Sequence, residues 1–411
     1  MPFNTTIASN IGCTLPHDIN EDQWLWYNDY SWWVEGFGSV LIGIVGIVLN
    51  LISSAVLLGS SLGGYFFNWL LVCLAVFDSL FLLSGIAEAF RSHIGGASSY
   101  EHHYAFAIFL YPFRSVVLGC SMYMTIILAL ERYNAFSKTS SQFQSIRHNT
   151  LCKGRLTRMI FYLRKHHYRL FKYVSPGILL STLFYAPKYL ELHVVKKERC
   201  NSTISNYDCD EYSISLTSLR KSNVYVLWYL NVANLIVTSI IPLCLLVYLN
   251  YNVHVKFKQF LDRQASLHNR LQSTPSSSKE KHHRHPEKDV VQQTMILFVI
   301  VISFVLSHAL RVCLNIEELK SLNEEKEAID AGCEWVKFWT IIVYPISHLL
   351  LQINSGTNFF VYCIFNQQFR NTIGSTISGL FGDTFFGRGL NDQNTTTQAV
   401  KDSQQMSLAI V

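Results

Sequence analysis

The sequence predicts an all-α integral membrane protein: a bundle of seven transmembrane helices, N-terminus outside, with a short amphipathic helix after the seventh span. Three observations predict it. Half of the 411 residues are hydrophobic and only 15% are charged, against about 25% in soluble domains. That is too little charge to cover the surface of a soluble chain of this length, and too much hydrophobicity for a disordered one. Seven apolar runs are long enough to be spans, and lysine and arginine gather between alternate runs.

A bilayer core about 30 Å thick is crossed by roughly 20 apolar residues in a helix. The spans are expected at about 37–60, 68–90, 104–133, 170–190, 223–251, 290–314 and 338–363. The first is uncharged, the second holds Asp78 and Glu88, and the third holds Arg114 in its apolar run. The fourth has a short apolar stretch, Tyr173 to Pro187, flanked by Lys172 and Lys188, whose stems snorkel toward the interfaces. Buried helices of a soluble protein do not account for seven such runs. No cleavable signal peptide is visible, since the N-terminus lacks a basic region ahead of a short apolar one; the first span is expected to serve as the targeting signal.

Orientation follows from the basic residues of the short loops. No Lys or Arg precedes Arg91, and residues 1–36 carry five acids, which places that segment outside. Residues 131–172 carry ten Lys or Arg and one acid, and 251–289 carry eight against four. Summed over the loops, the outer segments have a net charge of −8 and the inner ones +13, which together give the overall +5. The mildly basic total is therefore a topology signal rather than a sign of nucleic-acid binding. The sequons at Asn4 and Asn201 both fall outside and are expected glycosylation sites. Residues 382–411, rich in Gly, Asn and Thr, are expected to form a disordered cytoplasmic tail. Before it, 364–381 reads as an amphipathic helix on the membrane, from Phe365, Phe369, Ile373 and Ile377.

Polar groups inside spans are costly and mark function by default. Arg114, Leu118, Ser121, Thr125, Leu128 and Arg132 share one face of the third helix. The two arginines lie about 27 Å apart, at opposite ends. The seventh helix has a stripe of Tyr344, His348, Gln352, Ser355, Asn358 and Tyr362, and the sixth one of His308, Arg311 and Asn315. Lipid would penalise these faces, so they are expected to line the bundle interior; for single Ser, Thr and Asn residues, plain interhelical hydrogen bonding is an equal reading.

With Asn50, Leu74-Ala75 before Asp78, Glu131-Arg132-Tyr133, Pro242, Asn358-Phe359-Phe360-Val361-Tyr362 and Phe369-Arg370 in this order, residues 37–373 resemble the rhodopsin-like G-protein-coupled receptors. Within that class the chain looks like an invertebrate FMRFamide-type neuropeptide receptor. The resemblance rests on Tyr111-Pro112, Ala186-Pro187-Lys188-Tyr189 with Glu191, Tyr248-Leu249-Asn250, Leu314-Asn315 with Glu317-Glu318, and Ser347-His348-Leu349-Leu350-Leu351 with Ile353-Asn354-Ser355. It departs from the class pattern in places. Leu310 stands near the usual sixth-helix proline, His308 replaces a tryptophan, and Asn358 is followed by Phe359 rather than proline. The usual outer cysteine of the third helix is absent, with Ala107 near its place; Cys13, Cys200, Cys209 and Cys333 remain outside, with three pairings open to them.

The resemblance implies roles. Asp78 with Ser121, Asn354 and Asn358 would hold a sodium ion, a carboxylate with neutral oxygens suiting a hard cation, or else form a network without an ion. Beyond this ion no cofactor is implied. Glu131, Arg132, Tyr133, Asn358 and Tyr362 would form the G-protein coupling switch. The candidate ligand cavity comprises Glu88, Arg114, Trp228, Arg311, Asn315, Tyr344 and His348. An amidated peptide with an arginine would pair with Glu88 or Glu317, and the acidic segment 311–337 would attract it. The cavity arginines would also favour carbonyl or carboxylate groups, unless they pair with Glu88 themselves. The implied partners are an extracellular peptide and a heterotrimeric G protein, with arrestin and a receptor kinase at Thr395 to Thr397 and Ser403. A receptor for a non-peptide ligand and a transporter are the alternatives. Span seven has no Schiff-base lysine, and no paired carboxylates or zinc-type His pair lie mid-span to suggest an enzyme.

Overall fold

The computed structural model describes residues 21–59, 66–94, 100–142, 155–198, 210–272, 285–330 and 337–374. It is a bundle of long helices: α1 (Leu25–Leu58), α2 (Phe66–His93) and α3 (Tyr100–Asn134), α4 (Arg155–Tyr185), α5 (Asn223–Lys256) and α6 (Thr294–Ser321), and α7 (Phe338–Phe365). A short α8 follows at residues 367–374. Between α4 and α5 an antiparallel hairpin pairs β1 (Leu192–Glu198) with β2 (Asp210–Leu216), in the register Leu192 to Leu216.

Among the described residues, α1, α2, α3, α5 and α6 are long and apolar enough to cross a membrane. The other two long helices differ for identifiable reasons. The first half of α4 is basic, from Arg155 to Lys172. The last carries no Asp, Glu, Lys or Arg, but its polar stripe lowers its hydropathy. The helices pack in sequence order, with α7 closing against α1 and α2, and α3 touching α2, α4, α5 and α6 from the centre.

The bundle is apolar outside and polar along its axis. Leu183, Val247 and Leu306 are all more than half exposed on its outer surface, while Asn50, Asp78, Ser121, Thr125, Gln352, Ser355 and Asn358 are buried. That is the distribution a lipid solvent demands, since polar groups gain partners only between helices. Small residues bring backbones close: a Cβ on Gly46 would stand 3.1 Å from the Cα of Gly356, joining α1 to α7. The main apolar core lies toward the Arg132 end, where Leu71, Leu74, Leu128, Leu246, Leu297 and Tyr362 interlock.

Several boundaries differ from expectation. Residues 21–36, expected to belong to the outer N-terminal segment ahead of the first span, are helical and run into α1. The Trp26 ring packs on Phe338, and the Tyr30 hydroxyl donates to the Ile342 carbonyl at 2.8 Å. Apolar content alone ended the span at Glu35, but that carboxylate accepts from Ser31 Oγ at 3.2 Å and faces His93 Nε2 at 3.7 Å. The sixth helix is unbroken from His285 to Asp330, so much of the expected outer loop 311–337 is helix; its Leu-, Glu- and Lys-rich sequence favours that state. The amphipathic helix was expected over 364–381; it starts at 367 and is helical to 374, the last described residue. Asn366 caps it, its Oδ1 accepting from the Phe369 N–H at 3.0 Å. Phe369 is fully buried against Tyr362 and Phe359, so this face packs on the bundle as well. Asn4, Cys13, Cys200, Asn201, Cys209, Cys333, Thr395 to Thr397, Ser403 and residues 375–411 lie outside the described residues.

Candidate functional site

Three polar clusters are stacked along the interior. At mid-bundle, Asp78 is 1% exposed. Ser121 Oγ donates to its Oδ1 at 2.6 Å, and Asn358 Nδ2 donates to Oδ2 at 2.8 Å. The buried Ser355 side chain faces the same carboxylate, and the Ser355 carbonyl accepts from Asn50 Nδ2 at 3.0 Å. Asn354, expected among these ligands, is not: it is partly exposed, and its neighbour Ser355 holds the inward position. Because 355 and 358 lie one turn apart, they meet the carboxylate together. Every one of these partners is a neutral donor. A carboxylate buried this way needs either a proton or a cation to offset its desolvation. Asn50 Oδ1 is a buried acceptor without a hydrogen-bond partner among the described residues.

At one end of the column, Arg132 is 6% exposed. Its guanidinium holds Glu131 Oε2 through Nη2 at 2.7 Å and Nε at 2.9 Å, and lies 3.9 Å from the centre of the Phe67 ring. Tyr133 carries the Lys256 ammonium on its ring at 3.8 Å. Tyr362, one turn beyond Asn358 on α7, is buried with a hydroxyl that has no hydrogen-bond partner among the described residues.

At the other end, Arg311 and His308 line a pocket with Tyr185, Thr238, Leu118 and Met122. Arg114 Nη2 approaches His348 Nδ1 at 3.5 Å, and the His348 ring lies 4.4 Å from that of Tyr344. Tyr344 is 53% exposed and forms the rim. Asn315, one turn beyond Arg311, has a buried Nδ2 without a hydrogen-bond partner among the described residues.

Two expected cavity residues are elsewhere. Trp228 is 62% exposed on the outside of α5, its indole suiting an apolar boundary better than a polar cavity. Glu88 is bound by Arg91, which donates from Nη2 at 2.7 Å and Nε at 3.2 Å and covers the Phe106 ring. Neither Arg114 nor Arg311 therefore pairs with it. Glu317 likewise holds the Lys337 ammonium at 2.7 Å, and this hydrogen bond keeps Lys337 protonated to higher pH than usual.

The residue that sequence reasoning missed is Glu191, quoted only as part of a pattern. It is fully buried where α3, α5 and the hairpin meet. The hydroxyls of Tyr111 and Tyr225 donate to it at 2.6 and 2.8 Å, and Arg220 Nε lies 3.8 Å away. Lys188 Nζ donates to the Tyr111 hydroxyl at 3.1 Å. The hairpin is further held by Tyr212 against Tyr100. The alternation of Tyr212, Ile214 and Leu216 was the available signal for the strand; nothing in the sequence marked the carboxylate as enclosed.

A family model described as the serpentine type 7TM GPCR chemoreceptor Srw matches residues 38–379, the whole of this column included. The chain belongs to that family. It is a multi-pass membrane receptor of the plasma membrane, and its apolar helices are transmembrane helices. The chain is also similar to the FMRFamide receptor of Drosophila melanogaster, at 25% identity over 357 residues. The aligned part covers 84% of this serpentine receptor but only 53% of that relative's length.

Proposed function

We propose that this receptor binds an extracellular peptide of the amidated, FMRFamide-like kind, and signals through heterotrimeric G proteins. The observation that carries the reading is the series of three polar clusters on α2, α3 and α7, at Arg114 and His348, at Asp78 and at Arg132. Such a series couples two ends of a bundle when helices shift between two packed states, and a ligand biases them by binding one state better. The similarity to the Drosophila FMRFamide receptor supports a peptide as that ligand.

In this reading all seven long helices cross the membrane in the rhodopsin-like manner. The acidic segments and the Glu191 end lie outside; Arg132, the basic segments and α8 lie inside. Loss of Asn4 and Asn201 glycans on mutation to Gln, seen as faster gel migration, tests the orientation. Glu131 and Arg132 restrain the cytosolic end until α6 moves outward, and Tyr133, Asn358 and Tyr362 repack with them. The buried Asp78, with only neutral partners and unpartnered Asn50 Oδ1 among its neighbours' groups, suits a sodium ion held by Asp78, Ser121 and Ser355, which would offset the carboxylate's charge in the resting state. Arrestin and a receptor kinase would act on the tail.

The experiment is a calcium or cyclic-nucleotide response in cells expressing the receptor, against a library of amidated peptides. A peptide response that Arg132→Ala abolishes without lowering surface expression is the expected result. Flux of solute without G-protein signalling would replace the reading with a transporter.

A further inference from the structure

The chemistry of the outer pocket decides what part of a ligand it can take. Its polar lining is Tyr185, Thr238, His308 and Arg311, and Arg311 is the one formally charged group among them. Arg311 lines the pocket beside Leu118, and Arg114, one turn from Leu118 on the same face of α3, meets His348 at 3.5 Å. Asn315 adds a buried Nδ2 without a hydrogen-bond partner among the described residues, on the face of α6 that carries Arg311.

The carboxylates that face this region are occupied or peripheral. Glu191 accepts from two tyrosines with Arg220 beside it, Glu35 is held by Ser31 and His93, and Glu88 by Arg91. Glu318 is exposed. Lys188 is also near, with its ammonium on Tyr111. Among the described residues neither Arg114 nor Arg311 has a carboxylate within ion-pair distance. Partly buried guanidiniums with no carboxylate partner among the described residues recognise planar, bidentate acceptors above all.

We infer that the end of the bundle where the Arg311 pocket of α3, α5 and α6 adjoins the Arg114–His348 contact with α7 binds an anionic group of the ligand, a side-chain carboxylate where the ligand is a peptide, on Arg114 and Arg311 with Asn315 donating beside them. The peptide form of this inference rests on the proposed function; the anion selectivity of the pocket does not. The charge order is the reverse of what the acidic outer segment suggests: that segment attracts a basic ligand from a distance, whereas the pocket holds an acidic group at contact.

Two measurements test it separately. In the first, a Tyr344→Cys receptor is treated with sulfonatoethyl or trimethylammonioethyl methanethiosulfonate, and the modification rate is counted on the peptide that carries position 344. The expected result is an anion-to-cation rate ratio tenfold or more above that of a free thiol. It should collapse in Arg114→Gln/Arg311→Gln and persist in Arg311→Lys, which reaches the surface with its charge intact. A ratio equal to that of the free thiol, or one favouring the cation, overturns the inference.

In the second, an activating peptide is compared with its Asp→Asn or Glu→Gln twin. Potency should fall tenfold or more in the wild type and not in Arg311→Gln. An activating peptide without any anionic group, whose potency Arg311→Gln leaves unchanged, also overturns the inference while leaving the peptide reading intact. Anion-selective labelling with no peptide response does the opposite: it sinks the peptide reading and retains the subsite.

Discussion

Replacing Glu191 by glutamine removes a charge from a place where water does not enter. The carboxylate joins Tyr111 of α3, Tyr225 of α5 and Arg220 ahead of α5 to the foot of the hairpin. Hydrogen bonds to a charged acceptor contribute ~1.5–3 kcal/mol each, and deleting one partner of a buried ion-paired group costs ~3–5 kcal/mol because the remainder is left uncompensated. Glutamine keeps the shape and one acceptor oxygen, so Glu191→Gln should cost ~2–3 kcal/mol and Glu191→Ala more. The assay is thermal inactivation of detergent-solubilised receptor, followed by a thiol-reactive dye that reports exposure of the buried Cys120. A double-mutant cycle with Tyr111→Phe isolates the contact. Coupling of at least ~1 kcal/mol is expected; additivity within ~0.5 kcal/mol, or an unchanged inactivation rate in Glu191→Ala, would refute the clamp.

Asp78→Asn should abolish sodium sensitivity of agonist affinity, and an unchanged sodium dependence in that variant rejects the ion. Glu131→Gln weakens the restraint on Arg132 and should raise ligand-free signalling severalfold, with no rise counting against a lock at that end. Because Glu88 is engaged by Arg91, Glu88→Gln should act on stability, by ~1–3 kcal/mol for the loss of a charged hydrogen-bonded partner, rather than on recognition of an arginine-bearing peptide. A tenfold selective loss for that peptide, at unchanged thermal inactivation, would return Glu88 to the ligand site. Gly46→Leu should push α1 from α7 and lower surface expression sharply, since its side chain meets the Gly356 backbone and Leu82; normal expression would show that the two helices are free to separate.

Periodicity carried most of the fold. The stripes on α3, α6 and α7 were legible because residues three and four apart share a face whatever the tertiary structure, and those faces do point inward. Pairings across the bundle were not. Whether Ser355 or Asn354 meets Asp78 depends on a rotation of α7 smaller than one residue's angular step. Glu88 seemed available only because Arg91 was counted with a loop, whereas the helix continues and brings them together at i,i+3. Trp228 was assigned by residue type, and aromatic content does not distinguish a cavity from an outer surface. The extensions of α1 and α6 were missed because hydropathy measures what lipid tolerates, not where a helix ends.

The departures from the rhodopsin-like pattern bear on one another physically. Proline in a helix removes one hydrogen bond and bends the axis. With Leu310 in place of that proline, the sixth helix is continuous across Arg311, from His285 to Asp330. A group bound at Arg311 therefore acts on a rigid rod rather than on the outer half of a jointed one, and a displacement at that level must appear at the inner end as tilt or translation. Such a lever needs a fixed counterpart. No cysteine stands at Ala107 to tether α3, but Glu191 fastens α3, α5 and the hairpin with hydrogen bonds instead. Lys337 ties the start of α7 to Glu317 on the projecting part of the rod. The Glu191 end thus has one clamped group of elements and one continuous helix beside it, with two arginines that have no carboxylate partner among the described residues divided between them: Arg114 on the clamped side, Arg311 on the lever. An anion that bridges the two would draw them together, which is the geometrical basis on which a ligand here would favour one packing of the bundle over another.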